Sequence, residues 1–361
     1  WHAWQGAEDT VLKEVVGRFM SKNPNVTVKL LYVPFNQLQN KFTTEAGAGA
    51  GPDMLIGPVD WVSTLAEAGL LAPLDEAVAD VVGDFIPSTV DALKWQGQLY
   101  GFPESFECVA MYYNTSLVST PPATTDDLKA LAATVGVGFN SGAYHAFGYI
   151  GAFGGKLFDE NFKCVLDQGG TVDFLKFVKE LSETPGVTVS DDGGKLDTLF
   201  KEEQIGILLS NGPWASGDYV DSLGAEKVAV GLMPQPNSTN LPGAPFMGIK
   251  LFMFNANSDE EHFNAAVAFV KYFTSPEILE LMMNRAGHLP ANAKVEIPPE
   301  NVIVNGFIAQ AASAVPFPPG TVMGAYWGPA GDMIKKVVAG EATPEDAVAE
   351  ATRLINEANK K

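Results

Sequence analysis

The chain has 361 residues and carries 43 acidic against 23 basic side chains, a formal net charge of −20. A pI near 4.5 leaves no basic surplus for nucleic acid or anionic lipid, and a 46% hydrophobic share excludes a disordered chain. What remains is a self-repelling, soluble monomer long enough for two domains, with no run of about 18 apolar residues to span a membrane.

Trp1-His2-Ala3-Trp4 reads as the middle of a strand, so a preceding segment is expected to have been removed. A helix follows Gln5-Gly6-Ala7-Glu8-Asp9, with apolar pairs Val11/Val15, Leu12/Val16, Val15/Phe19 and Val16/Met20. Asn23-Pro24-Asn25 ends it, and the β-branched run from Val26 to Val33 predicts a second strand. Phe35 to Glu45 is a helix with Leu38 and Phe42 on one face. A buried strand at Met54-Leu55-Ile56 leads through Asp60-Trp61 to a helix from Val62 to Ala68, ended by Gly69. This alternation predicts right-handed parallel α/β units.

Trp95 to Tyr100 reads as a hairpin around Gly97, and Cys108 to Tyr113 as an apolar run. Two helical stripes follow, one of Phe174, Leu175, Val178 and Leu181, the other of Phe263, Ala266, Val267, Val270 and Phe273. An amphipathic helix from about Pro344 closes the chain, with Ala347, Val348, Ala351, Leu354 and Ile355 inward. No internal repeat is evident.

Charged residues make up only 18% of the chain, against the usual ~25%, and the deficit is uneven. No Asp, Glu, Lys or Arg occurs from Ala130 to Gly155, from Val228 to Ile249, or from Asn301 to Gly331. Gly, Asn, Ser and Pro interrupt all three stretches, so none could satisfy its backbone in lipid. They read either as interior strands and crossing loops or as the lining of a dry, aromatic cleft between two lobes.

Catalytic motifs are absent: there is no Gly-x-Ser-x-Gly elbow, no His-Glu-x-x-His and no phosphate loop. Gly136-Val137-Gly138 lacks the third glycine of a dinucleotide site, and His2, His145, His262 and His288 have no metal-ligand spacing. No cofactor or metal is called for. Cys108 and Cys164 are too few and too far apart for a disulfide framework and are read as two buried thiols, with a single bridge between them as the alternative. Asp60, Glu104 and Glu107 could supply a glycosidase pair, but 43 acidic residues make such a pairing common by chance. Trp4, Trp61, Trp214 and Trp327 each follow an apparent strand, the edge at which open α/β sheets bind ligands. An indole packs on the C–H face of a pyranose, and carboxylates such as Asp60 and Glu107 accept from its hydroxyls.

These residues carry a resemblance over essentially the whole chain. Gly51-Pro52-Asp53-Met54-Leu55-Ile56-Gly57, Asp60-Trp61-Val62 and Gly97-Gln98-Leu99-Tyr100-Gly101-Phe102-Pro103 are joined by Glu107, Tyr112-Tyr113-Asn114 and Phe200-Lys201-Glu202. Asn211-Gly212-Pro213-Trp214-Ala215, Pro245-Phe246-Met247-Gly248 and Pro316-Phe317-Pro318 with Trp327 complete the set. In order and spacing the chain resembles the periplasmic solute-binding proteins of bacterial ABC sugar importers, in the maltose/maltodextrin-binding branch, especially thermophile and deinococcal members. The resemblance implies a two-lobed α/β fold of periplasmic-binding-protein type II, with three hinge crossings near Glu107, Met247 to Leu251 and Asn301. Residues 1–106 with 251–300 would form the N-terminal lobe, and 107–250 with 301–361 the C-terminal lobe. Closure by hinge rotation would trap sugar in the cleft.

By position, the resemblance makes Asp60 and Glu107 acceptors for sugar hydroxyls, and Tyr144, Trp214 and Trp327 stacking surfaces. Trp61, an arginine in the enteric protein, is also tryptophan in thermophilic relatives. The Trp4-Gln5-Gly6 loop would form the near wall. Three charged contacts of the enteric protein are missing, since glycine stands at Gly142 and Gly331 and alanine at Ala7. The expected function is therefore non-catalytic capture of maltose or a malto-oligosaccharide for ABC permease subunits. The location would be the periplasm or the outer face of the cytoplasmic membrane, with lipid anchoring left open. Trehalose or another oligosaccharide is the alternative ligand; a carbohydrate-active enzyme, or a carrier of another neutral solute, is the further one.

Overall fold

The computed structural model describes residues 1–318 and 320–361. The chain divides into two compact units, each built on its own sheet. Unit 1 comprises Trp1–Glu107, Gly248–Pro298 and a brief return at 320–321; unit 2 comprises Cys108–Met247, Pro299–Pro318 and Val322–Lys361.

In unit 1, Met54–Pro58 pairs antiparallel with the 250–254 part of the long strand Phe246–Phe254, whose first two residues belong to unit 2, in register from Met54 opposite Phe254 to Pro58 opposite Lys250. That strand pairs antiparallel with Phe102–Glu107, which takes Leu289–Pro290 on its far edge. The expected parallel layer at the start of the chain is reduced to isolated bonds. His2 forms a single parallel bridge with Tyr32, and Ile56 donates its N–H to Trp1 O at 2.9 Å. The run Val26 to Val33 forms no ladder beyond the single bridge at Tyr32. Residues 26–32 are all exposed or half-exposed, so neither face is buried, and β-branched residues favour a sheet only when one face packs.

The hairpin at Lys94–Trp95 and Gln98–Leu99 turns through Gln96 and Gly97, both at positive φ (49° and 85°), the conformation a two-residue primed turn requires. Over the sheet lie the helices Gly6–Lys22, Glu260–Phe273 and Pro276–Ala286. Val11, Leu12, Val15, Val16 and Phe19 of the first are buried, as its periodicity predicts.

Unit 2 has a five-stranded mixed sheet in the order Val187–Ser190, Val137–Asn140, Ile207–Asn211, Ala110–Asn114, Val228–Gly231. The first two junctions are parallel and the last two antiparallel. The predicted stripe on Thr171–Glu183 packs as expected, with Phe174, Leu175, Val178 and Leu181 all buried. On the last helix, Pro344–Ala358, Ala347, Val348, Ala351 and Ile355 are buried, but Leu354 is 36% exposed. One helical step of 100° from Ile355 carries Leu354 off the stripe, and Thr352 takes the inward place, its hydroxyl donating to Val348 O.

Candidate functional site

Unit 2 gathers aromatic rings around Tyr144, which lies in the first turn of the helix Ala143–Ala152. Ring centroids of Trp214, Phe317 and Trp327 lie 6.2, 6.4 and 6.5 Å from it, with Phe317 stacked at 13°. Phe246 lies behind, stacked on Phe317 at 4.5 Å and near-parallel to Tyr144 at 6.4 Å. Phe246 is fully buried, whereas Tyr144, Trp214, Phe317 and Trp327 are half-buried. The group is thus an apolar platform anchored from below. Each charge-free stretch contributes to it: Tyr144 comes from the first, Phe246 from the second, Phe317 and Trp327 from the third. His145 packs edge-on to Trp214 at 5.9 Å, and desolvation pushes it down to about 4, so it adds a neutral ring at pH 7. Sequence reasoning missed Phe317 and His145 as participants, although both lie in charge-free stretches.

The turn bearing Trp214 has a counterpart in unit 1. After Ile207–Asn211 the chain runs Gly212-Pro213 into a 3₁₀ turn, Pro213–Ala215, and then the helix Ser216–Leu223. After Met54–Leu55-Ile56, Gly57-Pro58 leads to the 3₁₀ turn Val59–Trp61 and the helix Val62–Glu67. In both, the indole folds back over the glycine. A Cβ on Gly212 would lie 2.0–2.4 Å from Trp214 ring atoms, and one on Gly57 would lie 2.7 Å from Trp61 Cε3. Only glycine allows either indole to lie there. This local repetition was not visible as a sequence repeat, because its signature is only Gly-Pro with a nearby tryptophan.

Unit 1 places its predicted residues in different settings. Asp60 is half-buried at the middle of its 3₁₀ turn, and Trp61 is 6% exposed with Phe35 tilted over it at 5.4 Å. Gln5 is exposed at the N-terminus of its helix. Trp4 is a core residue: it is 5% exposed, with Phe273 at 6.0 Å and the edge of His288 at 5.3 Å. Its ring faces are covered by those side chains, so the expected near wall does not include a free Trp4 face.

Glu107 belongs to a buried charge cluster that sequence reasoning did not assemble. Lys250 Nζ is 2.6 Å from Glu8 Oε1 and 3.4 Å from Glu107 Oε2. His288 bridges Glu8 through Nε2 at 2.8 Å and Glu104 through Nδ1 at 2.9 Å. Desolvation pushes Glu107 above the usual carboxylate range, opposed by Lys250. Burial works against ionised Glu8 too, but Lys250 and His288 more than offset it and hold Glu8 low. The readable signal was Lys250 itself, a lone charge in Phe-Met-Gly-Ile-Lys-Leu-Phe-Met-Phe, which a buried strand tolerates only with partners.

Among the described residues, no group of three or more His, Cys, Asp or Glu is arranged to hold a metal ion, and no helix is long and apolar enough to cross a membrane. Two sheet-based α/β units, one presenting an uncharged aromatic platform, define a solute-binding protein of the two-lobed periplasmic-binding-protein fold, type II. The chain belongs to the bacterial extracellular solute-binding protein family, whose model matches residues 14–304. It is 31% identical to the maltotriose-binding protein of Pyrococcus abyssi over 346 residues, covering 91% of this chain and 74% of that one. It is 26% identical to a maltooligosaccharide ABC transporter solute-binding lipoprotein of Streptococcus pneumoniae, covering 89% and 79%.

The fold superposes on two solved structures. The maltose/maltodextrin-binding domain MalE of Bdellovibrio bacteriovorus bound to maltotriose matches with a TM-score of 0.93 at 25% identity, covering 100% of this chain and 99% of that one. The maltotriose-binding protein of Thermus thermophilus matches with a TM-score of 0.90 at 28% identity, covering 99% and 98%. These relatives are binding proteins of sugar transport, not enzymes.

Proposed function

We propose that this chain captures maltose and short malto-oligosaccharides outside the cytoplasmic membrane, as a monomer, and hands them to the permease subunits of an ABC importer. The observation that carries this reading is the convergence of three charge-free stretches on one aromatic platform in unit 2. Glucosyl rings present C–H faces that pack on Tyr144, Trp214 and Trp327, and their equatorial hydroxyls need acceptors, a role suited to Asp60 and Glu107. Gln5 and Trp61 are proposed as further sugar contacts. Trehalose or another glucosyl oligosaccharide is the second reading. The missing charged contacts at Ala7, Gly142 and Gly331 favour it, because a site with fewer fixed polar groups discriminates less sharply among neutral sugars.

Calorimetric titration with maltose, maltotriose, trehalose, sucrose and glucose tests both readings. Maltotriose and maltose are expected to bind at micromolar Kd or tighter; tight binding of trehalose alone would select the second reading, and no binding of any would sink both. Gly212→Ala is a local check. Its methyl would displace the Trp214 indole, so maltotriose affinity is expected to fall about tenfold, a 1.4 kcal/mol loss. Parental affinity in that variant would remove Trp214 from the site.

A further inference from the structure

The turn that carries Trp214 is held in a conformation that strand geometry alone would not produce. Ser210, the residue before Asn211, has φ 61°, a left-handed backbone that a serine adopts only where its surroundings impose it. Opposite, the ladder with Ala110–Asn114 slips register between Ala110 and Tyr112. Behind the turn lies a buried polar network. Tyr112 donates its phenol proton to Gly212 O at 2.9 Å, so Ser216 Oγ, 2.5 Å away, must donate to Tyr112. Asn211 Oδ1 accepts from Gly212 N at 3.0 Å. The Asn211 amide nitrogen donates to Asp197 Oδ1 at 3.0 Å and to Tyr219 Oη at 2.7 Å, and Tyr219 donates to the same Asp197 oxygen at 2.5 Å. The two phenol rings meet edge to face at 5.0 Å.

Both backbone polar groups of Gly212 are thus gripped by side chains, and the indole of Trp214 lies directly on its Cα. We propose that Tyr112 and the Asn211–Tyr219–Asp197 triad are positioning residues that fix the Gly212 peptide and, through it, the plane of Trp214 for stacking on a glucosyl ring. This rests on the reading of Trp214 as a sugar contact. Phenylalanine at 112 would fill nearly the same space but leave Gly212 O without its side-chain donor, and phenylalanine at 219 would leave the buried Asp197 carboxylate one donor short, so each hydroxyl is part of what fixes this turn.

The test is a double-mutant cycle on maltotriose Kd, with Tyr112→Phe and Trp214→Ala singly and together. Tyr112→Phe is expected to weaken binding about five- to tenfold in the parent, the loss of one buried neutral hydrogen bond, and by under about twofold when Trp214 is already alanine. Tyr219→Phe, acting through Asn211, is expected to show the same pattern and serves if the first variant folds poorly. Equal losses in both backgrounds, or a lowered melting temperature with unchanged Kd, would overturn the proposal. Failure of the underlying site reading looks different: Trp214→Ala would then bind like the parent. In that case the proposal also falls unless the near-UV dichroism assigned to Trp214, from the parent-minus-Trp214→Ala difference, changes in Tyr112→Phe. That change would keep the positioning role and move the site elsewhere.

Discussion

Replacing Lys250 with methionine is expected to destabilise the protein by about 3–5 kcal/mol, because it leaves buried carboxylates without their cation. The methionine keeps most of the aliphatic stem, so the loss is one of charge. Lys250 is the ammonium to which both Glu8 and Glu107 turn, and only 13% of its side chain is exposed. Burial opposes its charge, but Glu8 and Glu107 outweigh that and hold it above its ordinary value. His288 is the second cation. Burial opposes it as well, yet Glu104 and Glu8 raise it to about 9, so at neutral pH the cluster holds two cations, Lys250 and His288.

The pH dependence follows from those directions. An unfolded histidine titrates near 6.5, so the contribution of His288 is complete below that pH and is lost as pH rises through 9. Glu8, held low in the fold, contributes above its unfolded value near ~4.3 and loses that contribution as pH falls below it. Thermal melting from pH 4 to 10 is therefore expected to show a plateau at mildly acidic pH and a decline that begins near 6.5 and runs through 9. His288→Gln should lower the plateau and flatten the alkaline decline. A variant decline as steep as the parent's would place the titrating proton elsewhere.

Trp214→Ala and Trp327→Ala are each expected to weaken maltotriose binding by about 10- to 100-fold, or 1.4–2.8 kcal/mol, with little change in melting temperature. Each ring is half-buried and joins the platform around Tyr144, so truncation removes stacking area without opening a core cavity. Calorimetry beside a melting curve separates the two effects. Parental affinity in both variants would take the platform out of the binding site altogether.

Several helices and the stretches that form the aromatic platform were legible because their signals are local, whereas the two-lobed fold was legible only through the family resemblance, and the parallel units read from the local alternation did not form in unit 1. Apolar periodicity marked the core stripes, and the absence of charge marked the stretches that converge on Tyr144. What the sequence does not separate is residues whose contexts look alike but whose burial differs. Trp4 and Trp214 both follow apparent strands, yet Trp4 is covered by Phe273 and His288 while Trp214 keeps part of its surface open. Val26 to Val33 has a strand's composition but lacks a buried face. The charge cluster draws on positions 8, 104, 107, 250 and 288, and no sequence spacing announces that tertiary meeting.

Cys108 and Cys164 are both buried thiols, neither in a disulfide, and desolvation pushes Cys164 up to about 11. A buried thiol held that far from its thiolate form is a poor nucleophile. The natural protein therefore offers a nearly silent background to maleimide chemistry. One cysteine introduced on an exposed helix of each unit, at Glu277 and at Glu350, would take a donor and an acceptor dye with both native thiols left in place. Single-molecule energy transfer between them would then report the separation of the units, sugar by sugar, in an otherwise unaltered chain.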